Sequence, residues 1–196
     1  MTTPLASQHV KDLIALLQDV RCSGRDQQAI PFDDAMQRVV DRLLLARSQG
    51  KKAILVGNGG SASVVGHLQM DLCNAVRLRA LCFHDAPLLT ALSNDFGYPT
   101  AFERCVQLWA EPGDLLFGIS SSGRSENILR AVDAARARDC GVITLSGFAA
   151  DNPLRQRGDL NIHVGSKEYG PVETAHACLA HMLTDMALAT TASASA

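Results

Sequence analysis

Two segments rich in serine and glycine have the composition of anion-binding loops. Residues 57–61 read GNGGS, and residues 120–125 read SSSGRS. Glycines allow a backbone to approach a ligand closely, and serine hydroxyls donate hydrogen bonds with little bulk. Each segment lies between a short apolar run and a helical pattern, so the N–H groups of a helix start would favour an anion there.

The two loops differ in how strongly they indicate a ligand. A turn between a strand and a helix needs only one or two such residues, whereas residues 120–125 include four serines. We therefore favour phosphate binding over a plain turn for the second loop, and both interpretations stay open for the first loop taken alone. The second loop lacks G-x-x-x-x-G-K and the chain lacks G-x-G-x-x-G, which favours a phosphomonoester over ATP or NAD.

Four ionisable residues are spaced so that they could act together. His67 and Asp71 are four residues apart and share a helix face. Glu173 and His181 are eight apart, about two helical turns, and are roughly on one face. Such a set could bind Zn²⁺ or another divalent ion, or act as a general acid and base. Because a lone histidine on an apolar helix is usually a core residue, spacing alone leaves these roles and a structural one open.

The elements that must position these residues alternate between short apolar runs and helical patterns. This alternation predicts a doubly wound α/β fold, with a five-stranded parallel sheet, helices on both faces and additional N-terminal helices. Ligands of such a sheet bind beyond the carboxyl ends of its strands. The predicted strands are residues 53–56, 80–83, 114–119, 141–145 and 160–164, and the predicted helices are 10–20, 32–48, 61–74, 86–94, 98–108, 125–138 and 173–189.

The composition predicts one cytoplasmic domain with a substantial core. Of the 196 residues, 47% are apolar and 19% are charged, which argues against disorder. The net charge of −2 does not favour direct nucleic-acid binding. The six cysteines include no C-x-x-C pair, and neither a signal peptide nor a membrane span is evident. We divide the chain into N-terminal helices that join an oligomer core (1–50), the main domain (51–189) and a flexible tail (190–196).

Five motifs in this order resemble the phosphoheptose isomerase branch of the sugar isomerase (SIS) family. They are GNGGS at 57–61, His67, SNDFGY at 93–98, GISSSGRSENI at 118–128 and VITLSG at 142–147. The resemblance covers roughly residues 51–189. It implies the SIS fold, a homotetramer with active sites at subunit interfaces, and an aldose–ketose isomerase, an intramolecular oxidoreductase. The implied reaction converts sedoheptulose 7-phosphate to D-glycero-D-manno-heptose 7-phosphate for heptose biosynthesis.

The resemblance also implies roles for individual residues. Asn94 and Asp95 fall where the family contacts the sugar, His181 at an acid–base or metal position, and His67 at a metal position. The implied substrate-binding loop residues are Asn58, Gly59, Ser61, Ser120, Ser121, Ser122 and Ser125.

The chain departs from the family pattern at three positions. Asp71 stands where the family has its catalytic glutamate, Glu173 where it has a glutamine, and Ala75 where it has a basic residue. The two acidic replacements make His67, Asp71, Glu173 and His181 a better set of ligands for a divalent cation, for which we expect Zn²⁺. We also retain Glu173 as a substrate-binding residue.

The expected mechanism proceeds through a cis-enediol, with Asp71 as the base and His181 as its partner. Two alternatives remain. The first is an isomerase of another sugar phosphate. The second is a non-catalytic SIS tetramer that binds a sugar phosphate or a protein partner such as a replication initiator.

Overall fold

Seven β-strands form one sheet in the computed structural model, which describes residues 5–193. The strands are β1 (Arg21–Gly24), β2 (Ala29–Ile30), β3 (Lys52–Gly57), β4 (Arg79–Cys82), β5 (Leu115–Ser120), β6 (Gly141–Ser146) and β7 (Leu160–His163). The α-helices are α1 (Ala6–Gln18), α2 (Phe32–Ser48), α3 (Gly60–Asp71), α4 (Ala86–Phe96), α5 (Ala101–Trp109), α6 (Glu126–Arg136) and α7 (Tyr169–Ser193). A π-helical turn, Leu72–Val76, extends α3, and a 3₁₀ turn, Tyr98–Thr100, precedes α5.

The order of the strands indicates a ligand site at the carboxyl ends of two neighbouring strands. The sheet runs β2-β1-β7-β6-β5-β3-β4, and the five strands from β3 to β7 are parallel. The chain passes from β3 outward to β4 and then returns to β5 on the other side of β3. The winding direction therefore reverses between β3 and β5, and in sheets of this kind ligands bind at the carboxyl ends of the strands at such a reversal.

The predicted α/β fold class is confirmed, and the predicted number of strands is corrected from five to seven. β1 pairs antiparallel with β7, placing Cys22 opposite Ile162, and the two-residue strand β2 pairs antiparallel with β1. These two strands lie within residues 1–50, for which the sequence predicted helices alone. They extend the sheet at the edge far from the β3–β5 reversal.

Two apolar cores cover the two faces of the sheet. Along β3 the side chains alternate, so that Leu55 belongs to one core and Ile54 to the other. The first core includes residues of α2, α3 and α7, and the second includes residues of α5 and α6. Because both faces are covered, β3 and β5 are buried along their whole length, which explains their continuous apolar sequences.

The first and last helices can be compared with the predicted N-terminal segment and the predicted tail. Helix α1 has no buried residue, and Val10 and Ile14 on it are 59% and 51% exposed. Helix α7 continues through Ser193, so residues 190–193 of the predicted tail are helical, and residues 194–196 lie outside the described part. The flexibility of the tail and the role of residues 1–50 in an oligomer stay predictions. No helix within residues 5–193 has the length and apolar character needed to cross a membrane.

Candidate functional site

Both glycine- and serine-rich segments lie at the carboxyl ends of the strands that flank the reversal. β3 ends at Gly57 and α3 begins at Gly60, while β5 ends at Ser120 and α6 begins at Glu126. No side chain caps either helix start: the N-cap residue of α3 is Gly59, and the Ser125 side chain at the N-cap of α6 accepts no hydrogen bond from an N–H of that helix. Their N-terminal N–H groups are therefore not satisfied by a side-chain cap and can donate to an anion.

A cavity of about 230 Å³ lies between the two loops and the start of α7. It is below the ~300–1,000 Å³ usual for drug-sized ligands, which suits the phosphoryl end of a small molecule. All of the loop residues predicted to bind substrate line it. The lining residues are Asn58, Gly59, Gly60, Ser61, Ser120, Ser121, Ser122, Ser125, Tyr169 and Glu173.

Two of these lining residues were missed by the sequence reasoning. Gly60 belongs to the GNGGS motif and could have been included, because it is the third glycine of that loop and the first residue of α3. Tyr169 is the first residue of α7 and carried no recognisable signal.

The serine side chains of the second loop are only partly satisfied by hydrogen bonds within the protein. Ser121 is 3% exposed, and its Oγ has no hydrogen-bond partner within residues 5–193. The Oγ atoms of Ser120 and Ser125 lie 3.1 Å apart and share one hydrogen bond. A buried hydroxyl without a partner is unfavourable by about 1–3 kcal/mol, and a bound phosphate oxygen would remove that penalty.

A second group of polar side chains joins α3 to α7. His67 Nε2 lies 3.4 Å from Asp71 Oδ2, and His181 Nδ1 lies 3.5 Å from the same oxygen. The two imidazole rings meet edge to face with their centroids 4.6 Å apart. Residues one turn apart on α3 provide the first two side chains, and the packing of α7 on α3 provides the third.

This trio has the donors of a metal site. One ligand atom from each of His67, Asp71 and His181 lies within 4.8 Å of the other two. Two imidazole nitrogens and one carboxylate oxygen are ligands that Zn²⁺ accepts, and three protein ligands leave a position open for a substrate oxygen. The group therefore fits a catalytic divalent cation, and it also fits an acid–base pair built on Asp71 and His181.

Glu173, the fourth predicted metal ligand, lies apart from the trio in this structure. Its carboxylate lies against the backbone of Gly60, where a Cβ would be only 2.1 Å from Oε2. The absence of a side chain at Gly60 is what allows the carboxylate to reach this place. Glu173 therefore lines the loop cavity, and its membership in the metal set stays a prediction.

The two residues predicted to contact the sugar, Asn94 and Asp95, do not line the cavity. Asn94 and Asp95 are near the end of α4, where they are exposed and where Asn94 Nδ2 donates to Asp95 Oδ1 over 2.9 Å. Their segment is connected to the loop after β3 through Tyr98, whose hydroxyl donates to Asn58 Oδ1.

Two further histidines lie in the protein interior beneath the site. His176 on α7 is fully buried, and its Nε2 lies 3.2 Å from the Ser146 carbonyl oxygen. Burial lowers the pKa of His176 to about 4, and burial together with the charge of Arg155 also lowers the pKa of His163. Both imidazoles are therefore neutral near pH 7 and belong to the packing beneath the loops.

A sequence model of the SIS domain matches residues 25–147, which include both loops, α3 and the trio's His67 and Asp71. The chain belongs to the SIS domain family. A phosphoheptose isomerase from Helicobacter hepaticus is 33% identical over 166 residues, covering 82% of this chain and 84% of the relative. The SIS family match therefore includes both loops of the cavity, and the pairwise similarity extends over most of the chain.

Solved SIS structures agree with this architecture. A phosphoheptose isomerase structure from Neisseria gonorrhoeae superposes with a TM-score of 0.78 at 27% identity, covering 92% of this chain and 95% of that one. One from Francisella tularensis has a TM-score of 0.80 at 24% identity with the same coverage, and at that identity it supports the SIS fold alone.

Proposed function

We propose that this SIS protein is a phosphosugar aldose–ketose isomerase. The observation that carries the proposal is that α3 and α7 both contribute to two groups of residues, the lining of the loop cavity and the trio of His67, Asp71 and His181. Uncapped helix starts and the serines of the second loop lie at a cavity small enough for a phosphoryl group, while Asp71 and His181 lie 3.5 Å apart on α3 and α7. A protein that only senses sugar phosphates would need the first group and not the second.

The substrate we propose is sedoheptulose 7-phosphate, converted to D-glycero-D-manno-heptose 7-phosphate in heptose biosynthesis. The support is the similarity to phosphoheptose isomerases at 31–33% identity over most of the chain. Asp71 and Glu173 distinguish this chain from the family pattern described above. An isomerase of another sugar phosphate is therefore the alternative that the experiment must separate.

The chemistry assigns one proton transfer to each member of the acid–base pair. The Asp71 carboxylate takes a proton from C1 of the ketose, giving a cis-enediol, and returns it to C2 to give the aldose. The His181 imidazole carries a proton from the hydroxyl on C1 to the oxygen on C2, so that no atom is gained or lost. The phosphate in the loop cavity is remote from these carbons and fixes their position relative to Asp71.

A divalent cation fits the same trio. His67, Asp71 and His181 would hold it, and when bound it would polarise the carbonyl and the neighbouring hydroxyl of the sugar. We propose Zn²⁺ on the basis of the donor set, with Glu173 as a possible fourth ligand carried over from the resemblance. Asp71 and His181 act either without the cation or together with it. Activity measured with and without a chelator distinguishes these two cases.

The proposal includes a homotetramer with active sites at subunit interfaces, in the cytoplasm. The exposure of Val10 and Ile14 on α1 supports an association between subunits, because large apolar side chains on one helix face are usually covered. Light scattering measures the mass directly, and a species of 20.9 kDa at micromolar concentration would contradict this part of the proposal.

Proton exchange tests the proposed activity. The protein is incubated with sedoheptulose 7-phosphate in D₂O, and the signals of C1 and C2 are followed by NMR with and without a chelator. We expect deuterium at the exchanging carbon and the appearance of the aldose. Six-carbon ketose phosphates serve as the comparison for specificity. Binding of these phosphates without any exchange would leave a non-catalytic sugar-phosphate binder and would refute the isomerase.

A further inference from the structure

Three side chains behind the cavity form a closed hydrogen-bond network centred on Asn58. Asn58 Nδ2 donates to Asn127 Oδ1, and Asn127 Nδ2 donates back to Asn58 Oδ1, both over 2.9 Å. The Tyr98 hydroxyl donates to the same Asn58 Oδ1 over 2.6 Å. Asn127 is 3% exposed in the first turn of α6, whereas Tyr98 is 44% exposed in the 3₁₀ turn before α5.

The Tyr98 bond determines which way the Asn58 amide faces. A pair of asparagines joined by two reciprocal bonds could turn over together and keep both bonds, so the pair alone does not fix the orientation. The 2.6 Å separation is typical of an O–H···O bond and short for an N–H···O bond, whose usual length is about 2.9–3.0 Å. The carbonyl oxygen of Asn58 therefore faces Tyr98.

This orientation decides what Asn58 can offer a ligand. An asparagine side chain has two N–H donors and an oxygen with two acceptor sites. Asn127 and Tyr98 together occupy both acceptor sites, and Asn127 accepts one of the two N–H groups. One N–H remains, and Asn58 lines the loop cavity. Asn58 can therefore only donate there, which matches a phosphate oxygen and disfavours a ligand that would need an acceptor.

We propose that Tyr98 and Asn127 are positioning residues of the phosphosugar site, which hold the Asn58 amide so that it presents a single N–H to the phosphate. This inference rests on the proposed function. The network also connects three segments that the site needs: the loop after β3, the start of α6, and the turn that follows Asn94 and Asp95.

Replacing Tyr98 by phenylalanine tests the role with little disturbance. The ring of Tyr98 lies 6.5 Å from the ring of Phe102, so Tyr98→Phe keeps this packing and removes one hydroxyl. We expect the dissociation constants of inorganic phosphate and sedoheptulose 7-phosphate to rise about 5- to 10-fold by calorimetry, the effect of losing one hydrogen bond. KM should rise similarly and kcat should stay within about twofold, because only the orientation of a remote binding group is affected. The thermal midpoint should fall by no more than about 2–4 °C, the effect of losing one half-exposed hydrogen bond within the protein.

The matched control removes a hydroxyl from the neighbouring helix. Thr90 Oγ1 donates to the Ala86 carbonyl within α4, so Thr90→Val should bind phosphate like the original protein. If the original protein binds no phosphomonoester, the proposed function fails. If it binds and Tyr98→Phe binds equally well, only the positioning role fails.

A double-mutant cycle shows whether Tyr98 acts through Asn58. In an Asn58→Ala background, adding Tyr98→Phe should change the dissociation constant by less than about twofold, because the group it positions is gone. A further 5- to 10-fold loss in that background would mean that Tyr98 acts on the ligand by another route, which overturns the inference. Asn127→Asp is a second test of the same network. The aspartate still accepts a hydrogen bond from Asn58 Nδ2, but it cannot donate one to Asn58 Oδ1.

Discussion

Replacing Gly123 by alanine is expected to damage both the stability of the protein and its second loop. Gly123 has a φ of +63°, and a Cβ there would lie 1.9 Å from Asn152 Oδ1 and 2.8 Å from Asn152 Cβ. Cβ atoms do not approach other atoms this closely, so the Asn152 side chain has to leave its place. Gly123 lies within the loop whose serines line the cavity, and its carbonyl accepts a hydrogen bond from the Leu154 amide.

The magnitude follows from what Asn152 does in its buried position. It is 0% exposed, its Nδ2 donates to Ser146 Oγ, the Gly147 carbonyl and the Ala149 carbonyl, and its Oδ1 accepts from the Arg155 amide. Disrupting a buried amide of this kind costs about 1–3 kcal/mol. The left-handed backbone conformation costs an alanine roughly another 1–2 kcal/mol. We expect Gly123→Ala to lose about 2–5 kcal/mol of unfolding free energy in total.

Gly50→Ala separates the two contributions. Gly50 has a φ of +66°, and nothing lies within 4 Å of a Cβ built on it. It should therefore lose only the roughly 1–2 kcal/mol of the backbone term. Urea unfolding followed by circular dichroism gives both free energies, and calorimetry with inorganic phosphate reports on the loop. Equal unfolding midpoints for the two variants would refute the reasoning, as would full phosphate affinity in Gly123→Ala.

Two further perturbations test the interior and the ionisable trio. Because the pKa of His176 is lowered to about 4, the unfolded chain binds more protons as the pH falls below about 6.5, and stability should fall by about 2 kcal/mol between pH 6.5 and pH 5. The lowered pKa of His163 acts in the same direction. The urea midpoint plotted against pH should have a smaller slope in His176→Gln than in the original protein, and identical slopes would contradict the lowered pKa of His176. Asp71→Asn should weaken Zn²⁺ binding by about tenfold or more in competition with a colorimetric chelator, since even an outer partner of a metal ligand can matter that much. Asp41→Asn, on the exposed face of α2, should bind like the original chain, and equal Zn²⁺ affinity of both variants would count against the trio as a metal site.

The parallel strands and the loop cavity were predictable because buried strands leave a clear mark on a sequence. The run predicted at residues 53–56 became β3, which extends by only one residue at each end, from Lys52 to Gly57. A strand covered on both faces needs apolar side chains at every position and stops where glycine begins the turn. Both loops follow such strands, so the order of elements alone places them at one edge of the sheet.

The strands β1 and β2 left no comparable mark. β1 reads RCSG and β2 reads AI, which is too short for alternation to be distinguished from a loop. What makes β1 a strand is its partner β7, more than 130 residues later in the chain. Because the hydrogen bonds that define it come from a distant segment, the local sequence cannot specify it, and the same holds for the reciprocal pair of Asn58 and Asn127.

Glu173 shows how far helical periodicity can specify a site. Its spacing from His181 predicted that the two side chains join one site, whereas the structure places Glu173 at the loop cavity and His181 in the trio. Which of the two the carboxylate reaches depends on the space at Gly60, a contact between α3 and α7 that spacing does not reveal. The charges of bound ligands would also act on the Glu173 carboxylate. A phosphate in the cavity would repel it, and a cation at His67, Asp71 and His181 would attract it. Both ligands of the proposed reaction therefore favour moving Glu173 the same way, from the cavity toward the trio.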